Sequence, residues 1–126
     1  MNNNSEEKRV LLVDDDGDFV KILELYLRLS GLDVSCASCG KGALEELRLT
    51  APSVVILDLL MPDIDGAQVC RYLRQDLGDK ETPVIVLTAL SDSKHRREML
   101  QAGADEYFTK PCDLGLIYRT VERYTS

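Results

Sequence analysis

Residues 54–66 read VVILDLLMPDIDG, and the first four of them already constrain the architecture. Val54, Val55, Ile56 and Leu57 form a run without polar alternation. A strand covered on both faces needs such a run, because neither of its sides meets water. The run stops at Asp58, and the segment beyond carries Pro62 and Gly66, the punctuation of a loop that opens a helix. A buried strand, a polar residue at its carboxyl end and a helix after it make the repeating unit of a parallel sheet.

The same unit recurs outward in both directions. Strands are expected at residues 10–13, 34–37, 54–57, 84–87 and 107–108. The first helix carries Phe19, Ile22, Leu23, Tyr26 and Leu27 at i, i+3, i+4 spacing, which assigns all five to a buried face, and Ser30-Gly31 supplies its stop. Further helical patterns run over 40–49, 66–77, 91–102 and 113–124, each opened or closed by Gly, Pro, Ser or Asp. Five strand–helix pairs in 126 residues predict a single α/β domain with a doubly wound parallel sheet. Residues 1–8 form a polar N-terminal segment, and the domain is expected over 9–126.

Composition narrows the class of function. Apolar residues make up 44% of the chain and charged ones 29%, too polar for a membrane protein. No apolar run approaches the roughly 20 residues that span a bilayer, and the N-terminus has no signal-peptide core, so the expected compartment is the cytoplasm. A formal net charge of −7 opposes direct binding to a nucleic-acid backbone. Cys36, Cys39, Cys70 and Cys112 are irregularly spaced and read as reduced packing residues.

Binding sites in an open parallel sheet form just beyond the carboxyl ends of the strands. There the chain places Asp14, Asp15 and Asp16 after the first strand, Asp58 after the third, Thr88-Ala89 after the fourth and Lys110-Pro111 after the fifth. Clustered carboxylates repel: two unit charges about 4 Å apart cost roughly 4 kcal/mol at an effective dielectric of about 20. All-oxygen ligation suits a hard cation, and a small site that also handles phosphate favours Mg²⁺, held by Asp15 and Asp58 with Asp14 acting partly through water. A carboxylate beside such a metal stays ionised and can attack phosphorus, which makes Asp58 the expected phosphoacceptor. Lys110 would balance charge on the transferring group, and Thr88 offers a hydroxyl to a further oxygen.

Other motifs read more plainly. Asp16 suits an N-cap better than a ligand. Tyr107, taken alone, suits a packed strand aromatic. Cys36-Ala37-Ser38-Cys39 has the spacing of a redox dithiol, but a closed zinc site needs two close pairs, and Cys70 and Cys112 are isolated. His95 sits in a solvated cationic run with Lys94, Arg96 and Arg97, suited to an acidic partner. Asp63-Ile64-Asp65-Gly66 is similar to a calcium loop, but an EF-hand would need an acid where Tyr72 stands, so a turn is expected there.

Taken together, Asp14-Asp15 after Val10-Leu11-Leu12-Val13, Leu57 through Pro62 with Asp65-Gly66, Thr88-Ala89, Gly103-Ala104-Asp105, and Tyr107 with Lys110-Pro111 resemble the receiver domain of two-component response regulators. The likeness covers nearly the whole chain. It implies a flavodoxin-like (βα)5 sheet in strand order 2-1-3-4-5. It also implies that Asp58 accepts a phosphoryl group from the phosphohistidine of a sensor histidine kinase or phosphotransfer protein, in a signalling domain that catalyses only its own phosphorylation and dephosphorylation. Asp15 and the backbone carbonyl of Leu60 would be metal ligands beside Asp14 and Asp58.

Thr88 and Tyr107 would form a switch pair that reshapes the surface of the fourth helix, fifth strand and fifth helix, a surface suited to a phosphorylation-dependent dimer, and the Lys110-Pro111 bond would be cis. Leu60 and Leu90 occupy positions similar to those that modulate phosphoryl lifetime in the family. Neither can hydrogen-bond a water, which implies slow self-dephosphorylation. A phosphatase of the haloacid-dehalogenase type would need an acid at Leu60, and a flavin phosphate would be repelled by the aspartates after the first strand. The output partner is open. The start at Met1 fits a stand-alone receiver, and the end after the fifth helix fits truncation ahead of an effector domain.

Overall fold

The structure is a computed structural model that describes residues 8–126, so the expected polar segment over 1–8 lies, except for Lys8, outside the described residues. Five strands and five helices alternate: β1 (Arg9–Val13), α1 (Gly17–Leu29), β2 (Asp33–Ala37), α2 (Gly40–Thr50), β3 (Val54–Leu57), α3 (Gly66–Arg71), β4 (Val84–Thr88), α4 (Ser93–Ala102), β5 (Glu106–Thr109) and α5 (Leu114–Thr125). All pairings are parallel, in the order β2-β1-β3-β4-β5. This is the doubly wound flavodoxin-like sheet expected from the sequence, in one domain.

The period of two along each strand divides the core into two layers. Val10 and Leu12 of β1, Val54 and Ile56 of β3, and Ile85 and Leu87 of β4 pack with Leu23 and Leu27 of α1 and Ile117 and Val121 of α5. Their alternates, Leu11, Val13, Val55, Leu57, Val84 and Val86, pack with Ala43 and Leu47 of α2, Val69 of α3 and Met99 of α4. Both sides of the central strands are therefore dry, as their unbroken apolar runs require.

Helix starts follow the acidic residues. Asp16, Asp65, Asp92 and Asp113 each accept a backbone N–H of the first turn of α1, α3, α4 and α5. Asp65 and Gln68 form a reciprocal capping box. The α1 stop falls where expected, at Ser30 followed by Gly31 with φ of 95°.

Three expectations change. Ile22 is 59% exposed and not part of the α1 core face. At 3.6 residues per turn it sits about 100° around the axis from Leu23, on the flank of the stripe. The helix expected over 66–77 is α-helical only to Arg71, and Tyr72–Asp76 continues it as a π-helical turn. That wider turn carries Arg74, whose guanidinium donates to the carbonyls of Gly103 and Asp79. Of the four cysteines only Cys70 is buried; Cys36 is exposed on the edge strand β2. Partial desolvation and the neighbouring Glu24 carboxylate push the Cys36 thiol up to about 11, which disfavours a thiolate. Among the described residues no helix is long and apolar enough to cross a membrane.

Candidate functional site

The carboxyl rim of the sheet is built by backbone bonds that continue the ladder one step past the strands. Asp14 N–H donates to the Ala37 carbonyl (3.0 Å), Asp58 N–H to Val13 (2.9 Å) and Lys110 N–H to Thr88 (2.8 Å). Each functional side chain therefore starts from a rigid position on the edge of the core. The Lys110-Pro111 bond is cis.

Carboxylate oxygens of Asp14, Asp15 and Asp58 all lie within 4.8 Å of one another. Asp14 and Asp58 are buried, at 3% and 5% exposure, and Asp15 is exposed. Among the described residues one ammonium pairs with two of them: Lys110 Nζ is 2.7 Å from Asp14 Oδ2 and 3.6 Å from Asp58 Oδ2. It also lies 4.5 Å from the centre of the Phe19 ring. Asp58 Oδ1 turns the other way and accepts from the Leu59 N–H at 2.7 Å. Asp16 remains outside the cluster as the cap of α1, as expected.

Burial pushes the Asp14 carboxyl above its ordinary range; Lys110 and the Asp16 N–H pull it down, and the charge of Asp58 adds to the rise. Burial acts to lower Lys110, but its bond to Asp14 and the charges of Asp58, Asp14 and Asp16 outweigh that and hold the ammonium above its usual value. Three carboxylates against one cation leave excess negative charge in a partly desolvated pocket. The donor set is all oxygen, so the residues fit a small hard divalent cation.

Thr88 is fully buried at the end of β4, and its hydroxyl oxygen accepts from the Leu90 N–H at 3.4 Å. Tyr107 lies inward, 4% exposed, and donates to the Leu90 carbonyl at 2.7 Å. The segment after β4 is thus held by both residues of the expected pair. Leu60 follows β3, with its side chain 49% exposed, and a cavity of about 190 Å³ between Leu60, Leu90, His95 and Met99 separates this loop from α4. His95 is paired at 2.8 Å with Asp92, the cap of α4.

A family model described as the response regulator receiver domain matches residues 10–122. The chain belongs to that family. The receiver is 47% identical over 103 residues to the transcriptional regulatory protein PrrA of Mycobacterium leprae, an alignment covering 82% of this chain and 43% of PrrA. It spans less than half the length of the curated relatives it matches. Among solved structures, a response regulator described from Chloroflexus aurantiacus superposes with a TM-score of 0.87 at 34% identity, covering 94% of this chain and 98% of that one. The BeF3-activated receiver domain of DrrB gives a TM-score of 0.84 at 32% identity, with 94% and 97% covered.

The geometry brings together Asp14, Asp15, Asp58 and Lys110, with Thr88 and Tyr107 joined through Leu90. Sequence reasoning missed two participants. Phe19 was assigned only to the core face of α1, although its place three residues after Asp16 puts it on the first turn beside the rim. Leu90 was read through its side chain, whereas its backbone carbonyl and N–H are what Tyr107 and Thr88 engage.

Proposed function

We propose that this receiver accepts a phosphoryl group on Asp58 from the phosphohistidine of a sensor histidine kinase or phosphotransfer protein. The observation that carries this reading is the buried Asp58 carboxylate, with one oxygen 3.6 Å from Lys110 and with Asp14 and Asp15 beside it. In the transfer the P–N bond to the donor imidazole breaks, a P–O bond to Asp58 forms, and the imidazole leaves after taking a proton. Asp14, Asp15 and Asp58, with the backbone carbonyl of Leu60, would hold Mg²⁺. When bound, that ion supplies positive charge to the phosphoryl oxygens and lowers the repulsion among the aspartates.

Lys110 does the corresponding work from the protein side. Transfer onto Asp58 adds negative charge next to an ammonium already attached to Asp14, and Lys110 needs only a short reorientation to follow it. The Thr88 hydroxyl, engaged only by a long bond to Leu90, is free to turn toward a phosphoryl oxygen. That motion would disturb the Leu90 segment on which Tyr107 is anchored, and so pass to the surface of α4, β5 and α5. The output would be a partner, a second copy, or a C-terminal effector domain of the kind that the longer relatives have room for. Leu60 and Leu90 offer no side-chain partner to an attacking water, which supports a slowly hydrolysed phosphoaspartate.

The test is intact-mass measurement after incubation with Mg²⁺ and a small phosphodonor. Wild type is expected to gain one phosphoryl group and Asp58→Ala none; equal labelling of both, or of neither, would refute the assignment. The decay of the labelled form then gives the lifetime, which Leu60→Asn or Leu90→Glu should shorten.

A further inference from the structure

The stretch Asp63-Ile64-Asp65-Gly66 has no part in the mechanism above, yet it is clamped at both ends. The Asp63 carboxylate reaches 23 residues back along the chain and accepts the N–H groups of Gly40 (2.7 Å) and Lys41 (2.8 Å), the first two residues of α2. These two bonds hold its carboxyl down at about 2. The contact is also steric: a methyl group at Gly40 would collide with the Ile64 side chain.

The other end of the loop is pressed just as closely. A methyl group at Gly66 would lie 2.6 Å from Leu59 Cδ2 and 3.0 Å from the Asp58 carbonyl oxygen. Asp65 closes the capping box of α3 on the same side. Between the contact at Asp58-Leu59 and the tether at Asp63 runs the backbone of Leu60, Met61 and Pro62.

We infer that Asp63 is a positioning residue: by tying the loop after β3 to the N-terminus of α2, it presets the backbone at Leu60 for the cation that Asp14, Asp15 and Asp58 would hold. This rests on the function proposed above. A tethered loop presents its carbonyl already oriented, whereas an untethered one loses conformational freedom when the ion binds. The loss of such a supporting partner weakens metal affinity by roughly 10- to 100-fold in well-studied sites. The tether lies outside the reacting atoms, so it should act on affinity for the ion and not on the rate once the ion is bound.

The test is calorimetric titration of the apo protein with Mg²⁺, paired with phosphorylation rates at saturating Mg²⁺. Asp63→Ala is expected to raise the Mg²⁺ Kd about tenfold and leave the saturated rate within about twofold. Gly40→Ala, whose added methyl would press on both Ile64 and the Asp63 carboxylate and so push the loop off α2, should raise the Kd in the same direction. Asp79→Asn, which removes a loop-capping carboxylate at the far end of the sheet, should leave it unchanged. An unchanged Kd in Asp63→Ala, or an equal rise in Asp79→Asn, overturns the inference. Wild-type protein that binds no Mg²⁺ overturns both this inference and the proposed cation site, whereas wild type that binds alongside unaffected variants overturns this inference alone.

Discussion

Two clusters of charged side chains sit at opposite ends of the sheet, and they are arranged on opposite principles. At the amino ends of β4 and β5, Arg74 donates to the carbonyls of Gly103 and Asp79 and pairs with Asp105 at 3.1 Å. Asp105 also accepts the Val84 N–H, and Asp79 accepts two backbone N–H groups and the Thr82 hydroxyl. Arg74, Asp79 and Asp105 each have partners within the fold. At the carboxyl rim three carboxylates cluster beside one ammonium that pairs with only Asp14 and Asp58, and Asp15 has no ion pair among the described residues. Matched charges hold loops together; a cluster left with excess charge is a candidate site for a cation from outside.

The comparison breaks first at the matched end. Arg74→Ala removes the donor to two part-buried carbonyls and the ion pair to the exposed Asp105 carboxylate, and should cost about 2 kcal/mol in urea unfolding, since a typical hydrogen bond contributes roughly 0.5–1.5 kcal/mol. Arg74→Lys should recover less than half of that, because an ammonium cannot serve several acceptors in one plane. Neither change should alter the response to Mg²⁺. A loss below about 0.5 kcal/mol would mean that the corner does not hold the π-helical turn in place.

At the rim the sign reverses. Asp15→Asn removes one of three like charges and should stabilise the metal-free protein by about 1 kcal/mol, the Coulomb energy of a water-exposed pair about 4 Å apart. In wild type, Mg²⁺ at ten times its Kd should add about 1.4 kcal/mol, by linkage to the folded state. In Asp15→Asn that gain should shrink. Thermal melts with chelator and with Mg²⁺ check both, and a destabilised Asp15→Asn apo protein would place the rim in the same class as the Arg74 corner.

Much of this was legible in the chain. The continuous apolar runs of β1, β3 and β4 specify strands covered on both faces, and the residues that end them are the ones the sheet brings to one rim. What escaped reading depends on partners distant in sequence. Ile22 obeys the helical spacing, but spacing alone does not separate the flank of a stripe from its centre. The π-helical turn after Arg71 accompanies bonds from Arg74 to Gly103, 29 residues away. Asp63 read as a turn because its partners, Gly40 and Lys41, belong to the preceding helix. Cys36 read as core because its strand was not recognisable as an edge before the strand order was known.

The finest test of the comparison is the direction in which each cluster responds to pH. Burial pushes Asp14 above its ordinary value of 3.8, so its contribution to stability is complete below that value and is lost as pH rises through the folded-state pKa. Asp79 is the reverse: burial acts to raise it, but the Thr82 hydroxyl and the Thr82 and Glu81 N–H groups hold it below 3.8. Its contribution is complete above 3.8 and is lost as pH falls through the lowered value. The stability difference between Asp14→Asn and wild type should therefore become more favourable to the variant as pH rises, whereas that between Asp79→Asn and wild type should become less favourable. Loss of the Lys110 pairing shifts the first curve as a whole but not the sign of its slope, because Lys110 stays charged across the acid range. Urea unfolding in chelator between about pH 2 and pH 7 gives both slopes. Slopes of the same sign would mean that the rim carboxylate is held as favourably as the corner one, and that burial and the Asp58 charge do not raise it.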